Sequence, residues 1–353
     1  MTHRDPPLLL RALGGERTPR APFWYMRQAG RYLPEYRALR KQSPDFIAFC
    51  LDPERAAEVT LQPLRRFGMD AAILFADILL VPFALGAGVA FKEGEGPVLD
   101  PVRDSATVAR LAAEAGAAAD RLAPVYETVA RVRAALAADK ALLGFAGSPW
   151  TVASYMVEGG GGHDFQRIRR MAIAEPELFG QLIDVLVRST IEYLDRQILA
   201  GADAIQLFDT WAGVLPAAEF ERWCVAPTAA IVGALRQRHP SVRIIGFPRG
   251  AGTGLRRYAA ATGVDAVALD AGVAPAWAAE NIQPGLCLQG NLDPLLLAIG
   301  GPRMEDAARA ILSAWCDRAF VFNLGHGITP DVPVAHVEAL SALLAGWRRD
   351  AAP

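Results

Sequence analysis

Eight short apolar runs recur along the chain, and their spacing restricts the fold more than any other feature. They are PFWYM (22–26), AAILF (71–75), ALLGFAG (141–147), AIQLFD (204–209), VRIIGFP (242–248), AVALD (266–270), LCLQG (286–290) and FVFNLG (320–325). Each is rich in branched or aromatic residues, and helix-like sequence separates it from the next. Runs that are continuously apolar, rather than alternating, suit parallel strands buried on both faces. Between them lie segments such as DPERAAEVTLQPLRRFG, an Ala-rich stretch near 105–139 and PELFGQLIDVLVRSTIEYLDRQILAG, with Asp52-Pro53 a good helix start and Gly201 a good stop. Eight strand-then-helix units predict an α/β fold closed as a (β/α)8, or TIM, barrel rather than an open sheet. At 353 residues, without a Pro- or Ser-rich linker, the chain reads as one barrel domain over 1–353. Segment 86–102 interrupts the alternation: two short extended pieces flank Glu93-Gly94-Glu95-Gly96, predicting a small β-hairpin inserted after the second strand. The polar, proline-rich first twenty residues read as a loosely ordered arm.

Charge excludes some functions. Lys and Arg number 36 against 38 Asp and Glu, so a net charge of −2 supplies no general attraction for nucleic acid or anionic lipid, and any anion site must be local. Cys50, Cys224, Cys287 and Cys316 lie far apart, with no CxxC pair and no histidine at metal-ligand spacing. No early run is long enough for a signal-peptide core and none approaches a membrane span. The expectation is a soluble protein of the reducing cytoplasm.

In a parallel barrel the loops that follow the strands build the site. The polar residues at those places are Arg27 after the first run, Asp77 after the second, Ser148 and Tyr155 after the third, and Asp209 and Thr210 at the fourth. Arg249, Asp270, Asn291 and His326 follow the remaining four. Strand ends are often polar because they are near water, so only their joint occurrence favours a site at this mouth. The segment MRQAGRYLPEYRALR (26–40) crowds Arg27, Arg31, Arg37 and Arg40 around Gly30 and Pro34. A charge run is usually a solvated face. Here Arg27 directly follows a buried strand and Gly30 prevents a simple continuous helix, so the cluster points to a ligand with several carboxylates, which guanidinium groups grip bidentately. Asp77, in LFADILLVP, is a lone carboxylate in an apolar run: either a structural group capping a loop, or an acceptor held where positive charge develops. Both readings need donors nearby. Tyr155, in GSPWTVASYMVEGGGG, is as readily a packing residue as a chemical one. His326 stands between two glycines in FNLGHGITPD, which leaves it accessible for binding, with a structural histidine as the alternative. Two glycine-rich stretches fail as phosphate or dinucleotide motifs: GFPRGAGTGLRR has Leu255 where the fingerprint needs glycine, and EGGGGHDF lacks Gly-Lys-Ser/Thr and reads as a lid or packing turn.

From about Leu10 to the last helix the sequence resembles the uroporphyrinogen decarboxylases. The marks are MRQAGRYLPEYR, LQPLRRF-x-x-DAAILFADIL, GSPWTVASYMVEGGG, QLFDTWAG, LQGNLDP and NLGHGITPD, in that order. The resemblance implies a homodimeric (β/α)8 barrel that uses no metal or organic cofactor. It would convert the four acetate side chains of uroporphyrinogen III to methyl groups in haem biosynthesis, releasing coproporphyrinogen III and four CO2. It also implies that Arg27, Arg31 and Arg40 bind carboxylates and that Gln28, Ala29 and Gly30 line the same loop. Asp77 would meet the pyrrole N–H groups, and Tyr155 and His326 would line the cleft. Thr210 stands where many members have serine, which keeps the hydroxyl and adds a methyl group.

The implied reaction accounts for these residue types. Loss of CO2 from a pyrrole acetate leaves a carbanion that needs an electron sink, and protonating the ring provides one. An ionised Asp77 facing the pyrrole nitrogens would stabilise the ring cation as it forms, making it the principal catalytic candidate. Arginine orients carboxylates well but is an awkward proton donor, so Arg27 is assigned binding first and acid catalysis second. Two other functions compete. A zinc- or corrinoid-related methyltransferase of similar barrel fold would carry His-x-Cys and a later Cys as zinc ligands, and no histidine here is followed two positions later by cysteine. A barrel that merely binds tetrapyrroles would not need a buried carboxylate against an anionic ligand.

Overall fold

The computed structural model describes residues 5–92, 96–162 and 164–349. Nine strands are present among them: β1 (Ala71–Ile73), β2 (Ala90–Lys92), β3 (Gly96–Val98), β4 (Ala141–Gly147), β5 (Ala204–Asp209), β6 (Arg243–Pro248), β7 (Ala266–Ala268), β8 (Cys287–Leu292) and β9 (Phe320–Leu324). Seven form one curled sheet in the order β1-β4-β5-β6-β7-β8-β9. Every pairing in it is parallel, from Ala71 opposite Ala141 to Leu288 opposite Phe320. Parallel strands all end on the same side, so the loops carrying the candidate residues gather at one mouth. Strand β4 is buried at every position, consistent with its unbroken apolar run.

The first apolar run forms no named strand. Phe23 makes a single parallel bridge to Phe322, with Phe322 N–H donating to the Pro22 carbonyl (2.8 Å) and Trp24 N–H to the Phe322 carbonyl (3.4 Å). Toward β1 the ladder is replaced largely by side chains. Asp70 accepts the Phe23 N–H at 2.9 Å and holds Arg20 through two bonds of 2.7 Å. Gln28 accepts the Tyr25 N–H (3.3 Å) and donates to the Ala71 carbonyl (3.2 Å), and the Asn323 carboxamide oxygen accepts the Met26 N–H (3.0 Å). Pro22 has no N–H to contribute, which is one reason a regular ladder does not start here. The segment nevertheless lies between β9 and β1, its Phe23 carbonyl accepting the Asp70 N–H at 3.0 Å.

Helices start and stop where the sequence signals them. The Asp52 carboxylate accepts the Arg55 N–H at 3.0 Å to open Pro53–Phe67, and Gly68 closes it in the left-handed region at φ 67°. The Ala-rich stretch divides into Ser105–Arg121 and Ala123–Ala135, with Pro124 at the start of the second. The N-terminal arm departs from expectation: Leu8–Leu13 is a helix whose Leu9, Ala12 and Leu13 are buried as part of the hydrophobic core. Strands β2 and β3 pair antiparallel, while Glu93, Gly94 and Glu95, the expected turn, lie outside the described residues. From there the chain runs along the helix Pro149–Glu158. Val98 bridges Gly160, and Leu99 and Val102 donate to the carbonyls of Gly159 (3.1 Å) and Met156 (2.9 Å). Gly159 ends that helix at φ 83°, so the glycine run serves as a helix stop and a packing turn; His163 lies outside the described residues.

Candidate active site

Polar residues at the mouth sort into two groups according to what their side chains do. One group binds the loops to each other. Asp209 is buried and accepts the Thr151 hydroxyl at 2.6 Å, and the same hydroxyl accepts the Trp211 N–H at 3.1 Å, fixing the turn that bears Thr210. Burial, opposed by Thr151 and Cys224, pushes the Asp209 carboxyl up to about 6. Asp270 accepts the backbone N–H groups of Gly250 (2.7 Å) and Gly272 (2.9 Å), and Asn291 donates to the carbonyls of Asp270 and Val273, both at 2.9 Å. Ser148 joins them through its backbone alone: it is fully buried, its N–H donates to the Phe208 carbonyl at 2.8 Å, and its hydroxyl has no partner among the described residues.

The second group is left facing the mouth. Asp77 is half-buried, and one of its oxygens accepts the Leu79 N–H at 2.8 Å, a turn that aims the carboxylate before the helix Leu80–Ala84 begins. Burial pushes its carboxyl up to about 6, with the Leu79 N–H and the Arg27 guanidinium pulling the other way. Tyr155 is half-buried with its ring tilted against Trp211 at 6.2 Å between centroids, and Phe165 covers the other indole contact at 4.7 Å. Burial raises its phenol, which also feels Trp211, Asp77 and Arg27, so it remains a neutral donor and acceptor. Burial, then Arg27 and Arg249, push the His326 imidazole down to about 3, keeping it neutral; its ring lies 6.3 Å from that of Phe247. Asp77, Tyr155 and His326 therefore share one cation, Arg27.

Arg27 has an unusual backbone, with φ of 60° in the left-handed region. Its side chain lies across Gly327, where an added Cβ would come 2.4 Å from the Arg27 Cδ. The GHG of the last strand end thus leaves room for the arginine beside a half-buried histidine, a role for Gly327 that depends on a contact remote in sequence. Gly30 keeps the same loop close, since a Cβ there would stand 3.1 Å from the Arg27 carbonyl. Ala29 and Gly30 are half-buried, whereas Gln28 is fully buried, its carboxamide joining Tyr25 to Ala71 and its carbonyl accepting the Tyr32 hydroxyl at 2.8 Å. Gln28 shapes the loop through its side chain rather than offering that side chain to a ligand.

Arg31 is exposed, and Arg37 is spent on the loop, donating to the carbonyls of Arg31 (2.7 Å) and Tyr32 (3.1 Å). Arg40 donates to the Ser43 carbonyl (3.0 Å) with its guanidinium 5.9 Å above the Phe49 ring. Arg31, Arg40 and Asp77 all act on Tyr36, whose phenol is pushed up to about 12, mainly by burial. On another wall, a cleft of about 320 Å³ is lined by Thr210, Trp211, Gly213, Val214, Arg249, Gly250 and Asp270. Trp211 and Arg249 belong to the site by position but are not among its expected binding residues. Trp211 could have been suspected from the large aromatic in QLFDTWAG, whereas the freedom of Arg249 depends on what its neighbours bind. Among the described residues, no three or more His, Cys, Asp or Glu side chains gather as a metal site requires.

A profile of the family described as Uroporphyrinogen decarboxylase (URO-D) matches residues 5–347, nearly the whole chain and all of the mouth. The chain belongs to the uroporphyrinogen decarboxylase family. Relatives named uroporphyrinogen decarboxylase include one from Sphingopyxis alaskensis, 55% identical over 336 residues, covering 95% of this chain and 97% of the relative. Another, from Novosphingobium aromaticivorans, is 52% identical over 341 residues, covering 97% of this chain and 99% of the relative. Among solved structures, a methyltransferase from Methanosarcina mazei superposes with a TM-score of 0.76 over 96% of this chain and 97% of its own. At 20% identity that similarity shows a shared fold, not a shared reaction.

Proposed function

We propose that the protein is a uroporphyrinogen decarboxylase that converts the four acetates of uroporphyrinogen III to methyl groups, releasing coproporphyrinogen III and four CO2. The observation that carries this reading is Asp77: a half-buried carboxylate at the mouth, shared with Arg27 and Tyr155, inside a chain matched to this family along nearly its whole length. Among the described residues the remaining oxygen of Asp77 has no backbone donor of its own, which suits it to accept pyrrole N–H bonds. Protonation of a pyrrole ring makes a cation beside that carboxylate, and the attraction grows as the charge develops. The electron pair of the breaking carbon–carboxyl bond then moves into the cationic ring and CO2 leaves; a second proton at the methylene carbon completes the methyl group, and loss of the proton first added to the ring restores the neutral pyrrole, so that each decarboxylation takes up one proton net.

In this scheme Asp77 and Arg27 are the catalytic groups. Arg27 and Arg31, with Arg40 nearby, hold substrate carboxylates. Ala29, Gly30, Tyr155, Thr210 and neutral His326 shape and line the mouth, and Gln28 holds the loop. Ring protonation is itself the electron sink, so the scheme draws on no cofactor. The seven-stranded sheet together with segment 22–26 is read as a closed eight-position barrel, supported by the bonds of that segment to Phe322 on one side and to Asp70 on the other. The same reading takes residues 1–353 as a single domain that works as a homodimer in the cytoplasm; among the described residues no helix is long and apolar enough to cross a membrane. The test is anaerobic incubation of the metal-chelated protein with uroporphyrinogen III, followed by oxidation and chromatographic counting of carboxyl groups. Stepwise loss ending at the four-carboxylate product is expected. Unchanged substrate with folded protein would reject the proposal.

A further inference from the structure

Arg249 combines three properties that the chemistry proposed above leaves unused. First, its guanidinium makes no hydrogen bond or ion pair among the described residues, although it is half-buried and lines the cleft with Thr210 and Trp211. Second, its backbone is held on several sides. Its N–H donates to the carbonyls of Asp209 and Phe247, both at 3.1 Å, and its carbonyl accepts the Gly213 N–H at 3.1 Å. The contact between the two loops is so close that a Cβ on Gly213 would stand 2.6 Å from the Gly250 carbonyl oxygen. Third, Asp270, which lines the same cleft, spends its carboxylate oxygens on the N–H groups of Gly250 and Gly272. An arginine whose loop is fixed while its charge is left unpaired is preorganised for an anion from outside the protein.

Its place in the sheet determines which part of a ligand it could meet. From segment 22–26, which Arg27 directly follows, strand β6 is the fourth neighbour in either direction: β1, β4, β5, β6 one way and β9, β8, β7, β6 the other. Arg249 directly follows β6, so by sheet order it stands on the rim opposite Arg27, and both guanidinium groups help hold the His326 imidazole low. We propose that Arg249 binds a carboxylate of the substrate on the rim opposite Arg27, so that a broad polycarboxylate ring is held from both sides of the mouth. This inference rests on the functional reading above. It adds a specificity residue, because a small monoacid seated at Arg27 would not reach it, whereas a macrocycle carrying carboxylates around its edge would.

The experiment compares wild type, Arg249→Gln and Arg249→Lys in the anaerobic assay, with uroporphyrin, the oxidised and unreactive form, as a competing ligand. In Arg249→Gln the KM for uroporphyrinogen and the inhibition constant for uroporphyrin should both rise roughly ten-fold or more, the loss expected for one charge-assisted carboxylate contact, while kcat changes by less than about three-fold. Arg249→Lys keeps the charge without the planar fork and should fall between the two. Wild-type KM and inhibition constants in both variants, or a fall in kcat alone, would overturn the inference. If circular dichroism shows that Arg249→Gln does not fold, Arg249→Lys decides: a rise in both constants supports the inference and unchanged constants reject it. A folded wild type that converts no substrate rejects the functional reading itself, a result distinct from an active wild type matched by its variants.

Discussion

At Asp77, function and stability pull in opposite directions. The proposed chemistry needs the carboxylate ionised, yet burial favours its neutral form and raises it from the ordinary 3.8 to about 6. An acid whose folded value lies above its unfolded value is fully tolerated below the unfolded value and becomes a burden as pH rises through the folded one. The burden reaches at most roughly 3 kcal/mol at neutral pH, less what solvent recovers for the exposed edge. Asp77→Asn should therefore melt a few degrees above wild type near neutral pH and show no advantage near pH 4. Its kcat should drop by about two orders of magnitude, corresponding to ~3 kcal/mol of lost transition-state stabilisation. Wild-type activity should fall as pH drops through about 6, an acid limb that His326, held down to about 3, cannot supply. A variant with near-normal turnover, or one that melts lower than wild type at neutral pH, would remove Asp77 from this role. Arg27 offers a similar separation, since its φ of 60° suits glycine better than arginine. Arg27→Gly should keep or slightly raise the melting temperature while the KM rises at least ten-fold. Both residues were legible in the sequence, Asp77 as the one carboxylate in an apolar run and Arg27 as a cation directly after a buried strand. Gly327, Trp211 and the unpaired state of Arg249 were not legible, because each is defined by a contact between segments that are remote in sequence.

Among the elements, seven of the eight apolar runs became strands within one or two residues of their expected ends, because a run buried on both faces leaves few other structures available. The first run did not, and side chains explain why. Asp70, Gln28 and Asn323 take the N–H groups of Phe23, Tyr25 and Met26 that a ladder would otherwise use, and such pairings carry no local sequence signature. The Ala-rich stretch was readable as helical, although its division was marked only by Pro124. Stitching by side chains concentrates stability in a few groups. Asp70 is almost fully buried, with partners in the Arg20 guanidinium and the Phe23 N–H, so its removal leaves a part-buried charge and a buried donor unpaired. Asp70→Ala should cost about 3–5 kcal/mol in urea denaturation, well beyond the loss of an exposed ion pair such as Arg131–Glu127. Because Phe23 is joined through the same segment to Arg27, the surviving folded protein should also show a raised KM. A loss below about 1 kcal/mol would mean that the segment is held by its other bonds, those to Phe322, Gln28 and Asn323, rather than by the Asp70 carboxylate.

For the whole molecule, the overall charge and the charge at the mouth differ, and that difference predicts how affinity should change during the reaction. The chain carries −2 in total, so distant charges do not draw an anion toward it. In the binding mode proposed above, the mouth, in contrast, presents Arg27, Arg31 and Arg249, with Arg40 nearby, to a substrate that begins with eight carboxylates and ends with four. Each turnover removes one negative charge from the ligand while the protein's charges stay fixed, so the electrostatic part of binding weakens stepwise toward product. Salt screens partly exposed pairs over a length of about 8 Å at physiological ionic strength, comparable to the size of the cleft. Raising the salt concentration should therefore lower kcat/KM most for the eight-carboxylate substrate and progressively less for intermediates with seven, six and five carboxylates. Such a gradient would also account for product release without a moving lid, because the four-carboxylate product is the most weakly held member of the series. Measuring kcat/KM for the first and last members at low and high salt decides the matter. Equal salt dependence would show that substrate is recognised mainly through its ring and its N–H groups, leaving the arginines to orient it rather than to hold it.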